Sequence, residues 1–177
     1  MHGFISIFWF LLPAGLANMA PIIFNRLPLL ATPVDFGRRW RGEPIFGPHK
    51  TYRGFLVAII LAIVAVYIQK WLAPHTGSYN LVDYKTINLV LLGFLLGFGA
   101  LAGDLLKSFA KRRVGRKSGQ SWVPFDQIDW VVGALIATSF IANFSFSQIL
   151  EALVVFGLLH PVSNLLGYAL KFKPNKF

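Results

Sequence analysis

The sequence predicts an all-α membrane protein with about five transmembrane helices and two structured cytoplasmic loops. Of its 177 residues, 55% are apolar and 14% are charged, against about 25% charged residues in a typical soluble domain. The mean hydropathy is +0.60, and the basic residues cluster between the apolar stretches. The length suits one integral-membrane domain over residues 1–177.

Five apolar stretches define the predicted spans. A spanning helix needs about 20 mostly apolar residues because the hydrocarbon core is roughly 30 Å thick. The first stretch lacks the basic region of a cleavable signal peptide, so we expect it to be retained, with Pro13 as a tolerated kink. The predicted spans cover approximately residues 4–24, 54–72, 87–109, 128–142 and 149–170.

Charge placement predicts the orientation of these helices. Fifteen of the 17 Lys and Arg residues fall on one side, and only Lys70 and Lys85 fall on the other. The basic side comprises loops of about residues 25–53 and 110–127, the end of the third predicted span with Lys107, and a tail with Lys171, Lys173 and Lys176. Basic residues mark the cytoplasmic side, so we expect a multi-pass cell-membrane protein with its N-terminus outside and C-terminus cytoplasmic. The same asymmetry explains the net charge of +10 without nucleic acid as a partner.

Three acidic residues are candidates for a site on the basic side. Asp104 lies inside the third predicted span, where ionisable side chains usually face the bundle interior. Asp126 and Asp129 are three residues apart at the start of the fourth helix and therefore share a face. Carboxylates and phosphate oxygens are what Mg²⁺ prefers, so these acids beside a basic loop suit a metal–triphosphate complex. Two structural alternatives stay open: pairing of Asp104 with Lys107, and a helix-dipole role for the other two acids.

Small residues and missing residue types refine this interpretation. Gly93, Gly97, Gly99 and Gly103 form two GxxxG spacings, which permit close helix packing and predict that the third helix is central. A central third helix would place Asp104 inside the bundle.

The absence of cysteine excludes a disulfide framework, a thiol nucleophile and a cysteine metal site.

Several short motifs follow one another along the chain: Gly47-Pro48-His49-Lys50-Thr51-Tyr52-Arg53-Gly54, Gly103-Asp104-Leu105, Lys107-Ser108-Phe109, Lys111-Arg112-Arg113, Gly115 and Pro124-Phe125-Asp126-Gln127-Ile128-Asp129. In this order they resemble the CDP-archaeol synthase family and, more distantly, the CDP-diacylglycerol synthase signature. Gln127 stands where an arginine is usual in the wider pattern and Ser118 where an acid is usual, which favours the archaeol-type branch.

The resemblance implies transfer of a cytidylyl group from CTP to a membrane lipid phosphate, with Mg²⁺ as cofactor and pyrophosphate as product. It assigns catalysis to Asp104, Asp126, Asp129 and Lys111, with the three acids as metal ligands. It places around the bound nucleotide Lys50, Thr51, Arg53, Lys107, Ser108, Arg112, Arg113 and Lys117. The expected partners are CTP, the lipid phosphate and the bilayer, and we infer no obligate protein partner.

Two other functional classes fit parts of the sequence. A phosphatidyltransferase that consumes a CDP-lipid would also use Mg²⁺ and clustered acids, although we would expect a denser cluster on one helix. A small transporter or a scaffold is the non-enzymatic alternative, but transport favours polar residues at the membrane midplane, whereas here they lie toward one face. The sequence leaves open whether the lipid has ether-linked isoprenoid or ester-linked acyl chains.

Overall fold

A computed structural model describes residues 2–117 and 120–169. The tail lysines Lys171, Lys173 and Lys176, together with Ser118 and the last residue of the fifth predicted span, lie outside these described residues. The helices within them are α1 (His2–Ile23), α2 (Tyr52–Thr76), α3 (Leu89–Arg113), α4 (Phe125–Thr138) and α5 (Phe146–Ala169). A short antiparallel hairpin of β1 (Arg39–Trp40) and β2 (Glu43–Pro44) lies between α1 and α2.

Helix length and composition fit a membrane for three of the five helices. Helices α1, α2 and α3 are each long and apolar enough to cross a bilayer, and α5 contributes the shorter apolar stretch Phe146–Leu159. Helix α4 has 14 residues, a length of about 21 Å at 1.5 Å per residue. The all-α prediction is confirmed, whereas the count of five spans stays a prediction.

The end of α3 differs from the predicted one. We expected the helix to stop near residue 109, but it continues to Arg113. It stops there because Gly115 adopts φ +74°, a backbone angle at which the helix cannot continue. The N–H of Gly115 donates to the Arg112 carbonyl at 3.3 Å, and the N–H of Arg116 donates to the Lys111 carbonyl at 3.0 Å. This is a Schellman arrangement. Because α4 begins at Phe125, the connection between α3 and α4 covers 114–124, which is shorter at both ends than the predicted loop of about residues 110–127.

Helix α3 lies at the centre of the bundle, as its glycines predict. Gly93 and Gly97 face the backbone of α2, whereas Gly99 and Gly103 face the backbone of α4. Each GxxxG pair thus packs against a different neighbouring helix, and α3 also packs against α1. Because Asp104 follows directly after one of the close contacts with α4, it is held inside the bundle.

The segment between α1 and α2 folds back onto the helix ends. Arg41 and Gly42 both have positive φ, which is typical of the two-residue turn that joins tightly twisted strands. Val34 N–H donates to the Lys50 carbonyl at 2.7 Å, and the Thr51 hydroxyl caps α2 by accepting a hydrogen bond from Gly54 N–H. The segment therefore delivers Lys50 to α3 from a fixed backbone position.

Candidate active site

The side chains of three aspartates from two helices converge on one ammonium group. The Nζ atom of Lys107 lies 3.0 Å from Oδ1 of Asp104, 3.1 Å from Oδ1 of Asp126 and 2.7 Å from Oδ2 of Asp129. The predicted pairing of Asp104 with Lys107 is present, but it is one part of a larger cluster. The three carboxylates surround one cation position.

Two further lysines complete the cluster. Lys50 donates a hydrogen bond to Oδ2 of Asp104 from the segment before α2. Lys111 donates to both oxygens of Asp126, at 2.9 and 3.1 Å, and to the Gln120 carbonyl. Three ammonium groups thus face three carboxylates, so the cluster is electrically balanced by the protein alone.

The cluster is largely shielded from solvent. Exposure of the side chain falls from 25% at Lys50 to 6% at Asp129, so the cluster has an open side at Lys50 and a deep side at α4. A buried charge is tolerated only when it is paired. Oδ2 of Asp129 is close to the Lys107 ammonium yet receives no well-directed hydrogen bond. This oxygen retains acceptor capacity at the deepest point of the site.

Helical spacing and small residues explain why these side chains meet. Asp104, Lys107 and Lys111 are separated by three and four residues, which places them on one face of α3. Asp126 and Asp129 have the same relation on α4. Because the glycines of the two helices allow their backbones to touch, even the short aspartate side chains reach across the interface.

Two adjoining cavities open onto the cluster. The larger, of about 640 Å³, is walled by the end of α1, residues 48–53, α3 and residues 120–126. The smaller, of about 170 Å³, is lined by Phe46, Gly47, His49, Lys50, Lys107, Ser108, Lys111 and Arg112. Lys50, Lys107 and Lys111 border both cavities. The larger volume falls in the usual range for a small-ligand site, and the smaller one suits an anion.

Comparison with known proteins decides the family. Residues 2–177 match the family model described as CarS-like, CDP-archaeol synthase. The chain belongs to the CDP-archaeol synthase family. The family predicted from the motifs is thereby confirmed, on a match that runs through nearly the whole chain.

Individual family members are similar over almost their full length. The chain is 37% identical to a CDP-archaeol synthase of Pyrococcus furiosus, covering 98% of each chain. It is 38% identical to one of Methanosphaerula palustris, over 92% of this chain and 98% of that one. A solved intramembrane enzyme for archaeal membrane lipids biosynthesis has a TM-score of 0.72 and 27% identity, covering 89% of this chain and 92% of its own. This similarity supports a membrane-embedded fold for this CDP-archaeol synthase family member.

The predicted metal ligands of this family member do not form an open metal site in the structure. Over residues 2–117 and 120–169, no group of three or more His, Cys, Asp or Glu side chains is arranged to hold a metal ion. Asp104, Asp126 and Asp129 surround the Lys107 ammonium instead. Their role as metal ligands stays a prediction. The geometry of such a metal site depends on the position of the Lys107 ammonium, which now lies where the three carboxylates meet.

Most of the residues predicted around the nucleotide of this CDP-archaeol synthase family member border the cavities. Thr51 and Arg53 line the larger cavity, although the hydroxyl of Thr51 also caps α2. Ser108 and Arg112 line the smaller one together with the lysines, and both are buried. The buried Nε of Arg112 has no hydrogen-bond partner among the described residues. The donor capacity of this nitrogen is therefore unused within the described part of the chain.

Arg113 and Lys117 do not reach the cluster. The Arg113 guanidinium donates to the carbonyls of Trp40 at 2.5 Å and Pro44 at 2.6 Å. It also lies over the rings of Trp40 and Phe109. Lys117 is exposed and borders neither cavity, and its backbone N–H donates to the side chain of Gln120. Arg113 thus fastens the β-hairpin to α3 in this family member, and neither residue contacts the site.

Sequence reasoning did not select several polar residues of the larger cavity. They are Asn18, Asn25, His49, Gln120 and Ser121. Asn18 carried a usable signal, because an amide inside an apolar span is costly and is usually functional. The other four lie outside apolar spans, where polar residues are expected and give no signal of their own.

Asp35 holds the segment that carries Lys50. Its carboxylate accepts hydrogen bonds from the N–H groups of Gly37 at 2.9 Å, Phe46 at 2.9 Å and Gly47 at 3.2 Å. Burial raises the pKa of the Asp35 carboxyl, but these backbone hydrogen bonds outweigh it and hold the pKa below its ordinary value of 3.8. Since Phe46 and Gly47 line the smaller cavity, Asp35 also shapes one wall of that cavity.

The pH dependence of this segment follows from the depressed pKa. Stabilisation by Asp35 is complete above the ordinary pKa of 3.8, which the carboxyl has in the unfolded chain, and is lost as the pH falls through the lower folded-state value. Asp35→Asn should remove that dependence and loosen residues 34–47 at neutral pH, because an amide cannot accept all three hydrogen bonds. Amide hydrogen exchange, corrected for the intrinsic pH effect, would measure the loosening. Glu43→Gln is the control, and equal protection in both variants would contradict the role of Asp35.

Proposed function

We propose that the lysine–carboxylate cluster and its two cavities transfer the cytidylyl group of CTP to a membrane lipid phosphate. The products are a CDP-lipid and pyrophosphate, and the archaeal names of the relatives favour unsaturated archaetidic acid as the lipid. The protein is a CTP-dependent lipid cytidylyltransferase by family membership. The observation that carries the proposed site is the convergence of Asp104, Asp126 and Asp129 on one cation position beside a basic cavity.

The smaller cavity is suited to the phosphates of CTP. Its polar lining is supplied mainly by His49, Lys50, Lys107, Lys111 and Arg112. Among the described residues that line it, none is a carboxylate. Charge-assisted hydrogen bonds to phosphate oxygens are stronger than neutral ones. We therefore assign this cavity to the pyrophosphate leaving group, whose charge grows as the bond breaks.

The three aspartates fit a divalent cation. Carboxylate oxygens are the donors that Mg²⁺ prefers, and the Lys107 ammonium already marks the point at which all three meet a positive charge. Asp104, Asp126 and Asp129 would hold the ion. When bound, Mg²⁺ supplies charge neutralisation for the phosphate oxygens.

The protein's own residues then position the two substrates. A lipid phosphate oxygen attacks the α-phosphorus of CTP, a new P–O bond forms, and the bond to the β-phosphate oxygen breaks as pyrophosphate leaves. No general base is required, because a phosphate monoester has a second pKa of about 6 and is already ionised. Positioning and charge stabilisation supply the catalysis in such reactions. Lys111 fixes the Asp126 carboxylate, and Lys50 fixes that of Asp104.

The position of the cleft suits a lipid substrate. Pro21 and Ile22 of α1 line the larger cavity, and Ile22 is 74% exposed on the outer surface of the bundle. A lipid in the bilayer is therefore able to place its phosphate in the cleft while its chains stay outside. Asn18 of the same helix and Asn25, which lies just after it, offer neutral hydrogen bonds to the polar head group.

We also propose the predicted topology for the whole chain. Five spans place the N-terminus outside and the C-terminus in the cytoplasm, with the active site on the cytoplasmic side of the cell membrane. The basic residues around the cluster support this orientation, because positive charge favours the cytoplasmic side. On this proposal residues 1–177 form a single integral-membrane domain, and CTP reaches the cleft directly from the cytoplasm.

Product formation tests the proposed function. Purified protein is incubated with labelled CTP, Mg²⁺ and either an ether-linked isoprenoid or an ester-linked acyl phosphatidic acid. We expect labelled CDP-lipid from the ether-linked substrate, and none when CTP is replaced by ATP or GTP. Equal use of all three nucleotides, or label found only in water-soluble products, would contradict the assignment.

A further inference from the structure

Lys107 stands between the two ligands that the proposed function requires. Its Nζ atom lies within 3.1 Å of an oxygen from each of the three aspartates. The same side chain borders the basic cavity assigned to phosphates. The cluster and the basic cavity are therefore neighbours that share the Lys107 side chain.

The charges around Lys107 are balanced before any ligand binds. Lys50 neutralises Asp104, Lys111 neutralises Asp126, and Lys107 bridges all three acids. A divalent cation that arrives alone meets carboxylates that are already paired with ammonium groups, with Lys107 at the centre. Close like charges in a poorly solvated site repel strongly, so the ion binds only if Lys107 leaves.

We propose that Lys107 is an exchangeable resident cation that makes binding of the divalent metal dependent on the nucleotide. The proposal rests on the proposed function, because it takes the three aspartates as metal ligands and the basic cavity as the phosphate site. When CTP occupies that cavity, its phosphates offer Lys107 a new anionic partner. The ammonium group turns from the carboxylates to the phosphates, and the vacated position accepts the metal.

The exchange has a thermodynamic consequence. If the nucleotide raises the affinity for the metal, the metal raises the affinity for the nucleotide by the same factor. Lys107 is a positioning residue in this scheme, since it controls when the carboxylates are free. Its removal should uncouple the two ligands: the metal gains affinity in the absence of CTP, and CTP then adds little.

Metal binding with and without nucleotide tests the exchange. Mn²⁺ serves as the probe, and its binding to the purified protein is followed by electron paramagnetic resonance without lipid phosphate, with protein-free titrations correcting for chelation by CTP. In Lys107→Met, Mn²⁺ alone should bind about tenfold tighter than in the wild type, within the usual range of coupling. Lys70→Met is the control: it removes a lysine near the end of α2 that is far from the cluster, and its Mn²⁺ affinity should equal that of the wild type.

Each outcome separates the exchange from the proposed function. Unchanged Mn²⁺ affinity in Lys107→Met, with CTP and Mn²⁺ still stabilising the wild type together, overturns the exchange and leaves the proposed function intact. Failure of CTP and Mn²⁺ together to raise the thermal unfolding midpoint of the wild type overturns both. If Lys107→Met does not fold, Lys107→Gln keeps a hydrogen-bond donor at the centre without the charge. It should show the same gain in Mn²⁺ affinity, and the absence of that gain overturns the exchange.

Discussion

Replacing Asp104 with asparagine should lower the rate of CDP-lipid formation by about 10²–10³-fold, the usual loss when one group that stabilises a transition state is removed. The change leaves the side-chain shape but removes the negative charge that Lys50 and Lys107 share. Those two ammonium groups then lie close together with one fewer counter-charge, and a metal ion loses a ligand. Turnover of labelled CTP into CDP-lipid by the purified variant measures the effect. Asp126→Asn should act in the same direction, because Asp126 also contacts two lysines.

Asp83→Asn is the matched control for Asp104→Asn. Asp83 precedes α3, at the end far from the cluster, and its carboxylate accepts a hydrogen bond from the backbone N–H of Lys85. Its replacement removes the same charge from the same chain without touching the cleft. Membrane insertion and the thermal unfolding midpoint should be measured for both variants, so that misfolding is separated from lost chemistry. Full turnover by a folded Asp104→Asn protein would remove Asp104 from the active site.

The sequence was sufficient to predict the elements that depend on local pattern. The lengths of the apolar stretches predicted the helices. The glycine spacings predicted that α3 lies at the centre with Asp104 inside the bundle, as observed. The spacing of Asp126 and Asp129 predicted a shared face, and both do reach the same ammonium group. These features follow from the helical repeat, which is a property of neighbouring residues.

Features that depend on distant residues could not be predicted in the same way. Arg113 looks like its neighbour Arg112 in the sequence, yet one binds carbonyls of the β-hairpin and the other lines the basic cavity. The difference arises because consecutive residues on a helix point about 100° apart, and the hairpin covers only one direction. The bridging position of Lys107 likewise requires α4 to lie against α3. The spacing in the sequence indicated its pairing with Asp104, and the family resemblance placed it near the nucleotide, but neither predicted contacts with Asp126 and Asp129.

Gly103→Ala should destabilise the protein and the active site together. A Cβ atom at this position would clash with the carbonyl oxygen of Asp129 and would lie 2.9 Å from its carbonyl carbon and 3.2 Å from Cα of Gly133. All three are backbone atoms, so no side chain can turn aside and α4 must move away from α3. Overpacking of this kind costs about 1–3 kcal/mol, and a shift of about 1 Å at a catalytic group can cost 10²-fold in rate. The thermal unfolding midpoint and CDP-lipid formation should therefore both fall.

The loss of rate in Gly103→Ala should exceed what its loss of stability explains, because α3 and α4 each carry part of the carboxylate set. Gly157→Ala provides the comparison: a Cβ atom there would meet only a methyl group of Ile128, at 3.6 Å, which is an ordinary contact. That variant adds the same atom to another helix and should keep both stability and turnover. Assays well below both unfolding midpoints separate the two effects. If folded Gly103→Ala protein turns over CTP as fast as Gly157→Ala protein, the close approach of α3 and α4 serves packing alone, and the three carboxylates do not need their observed separation.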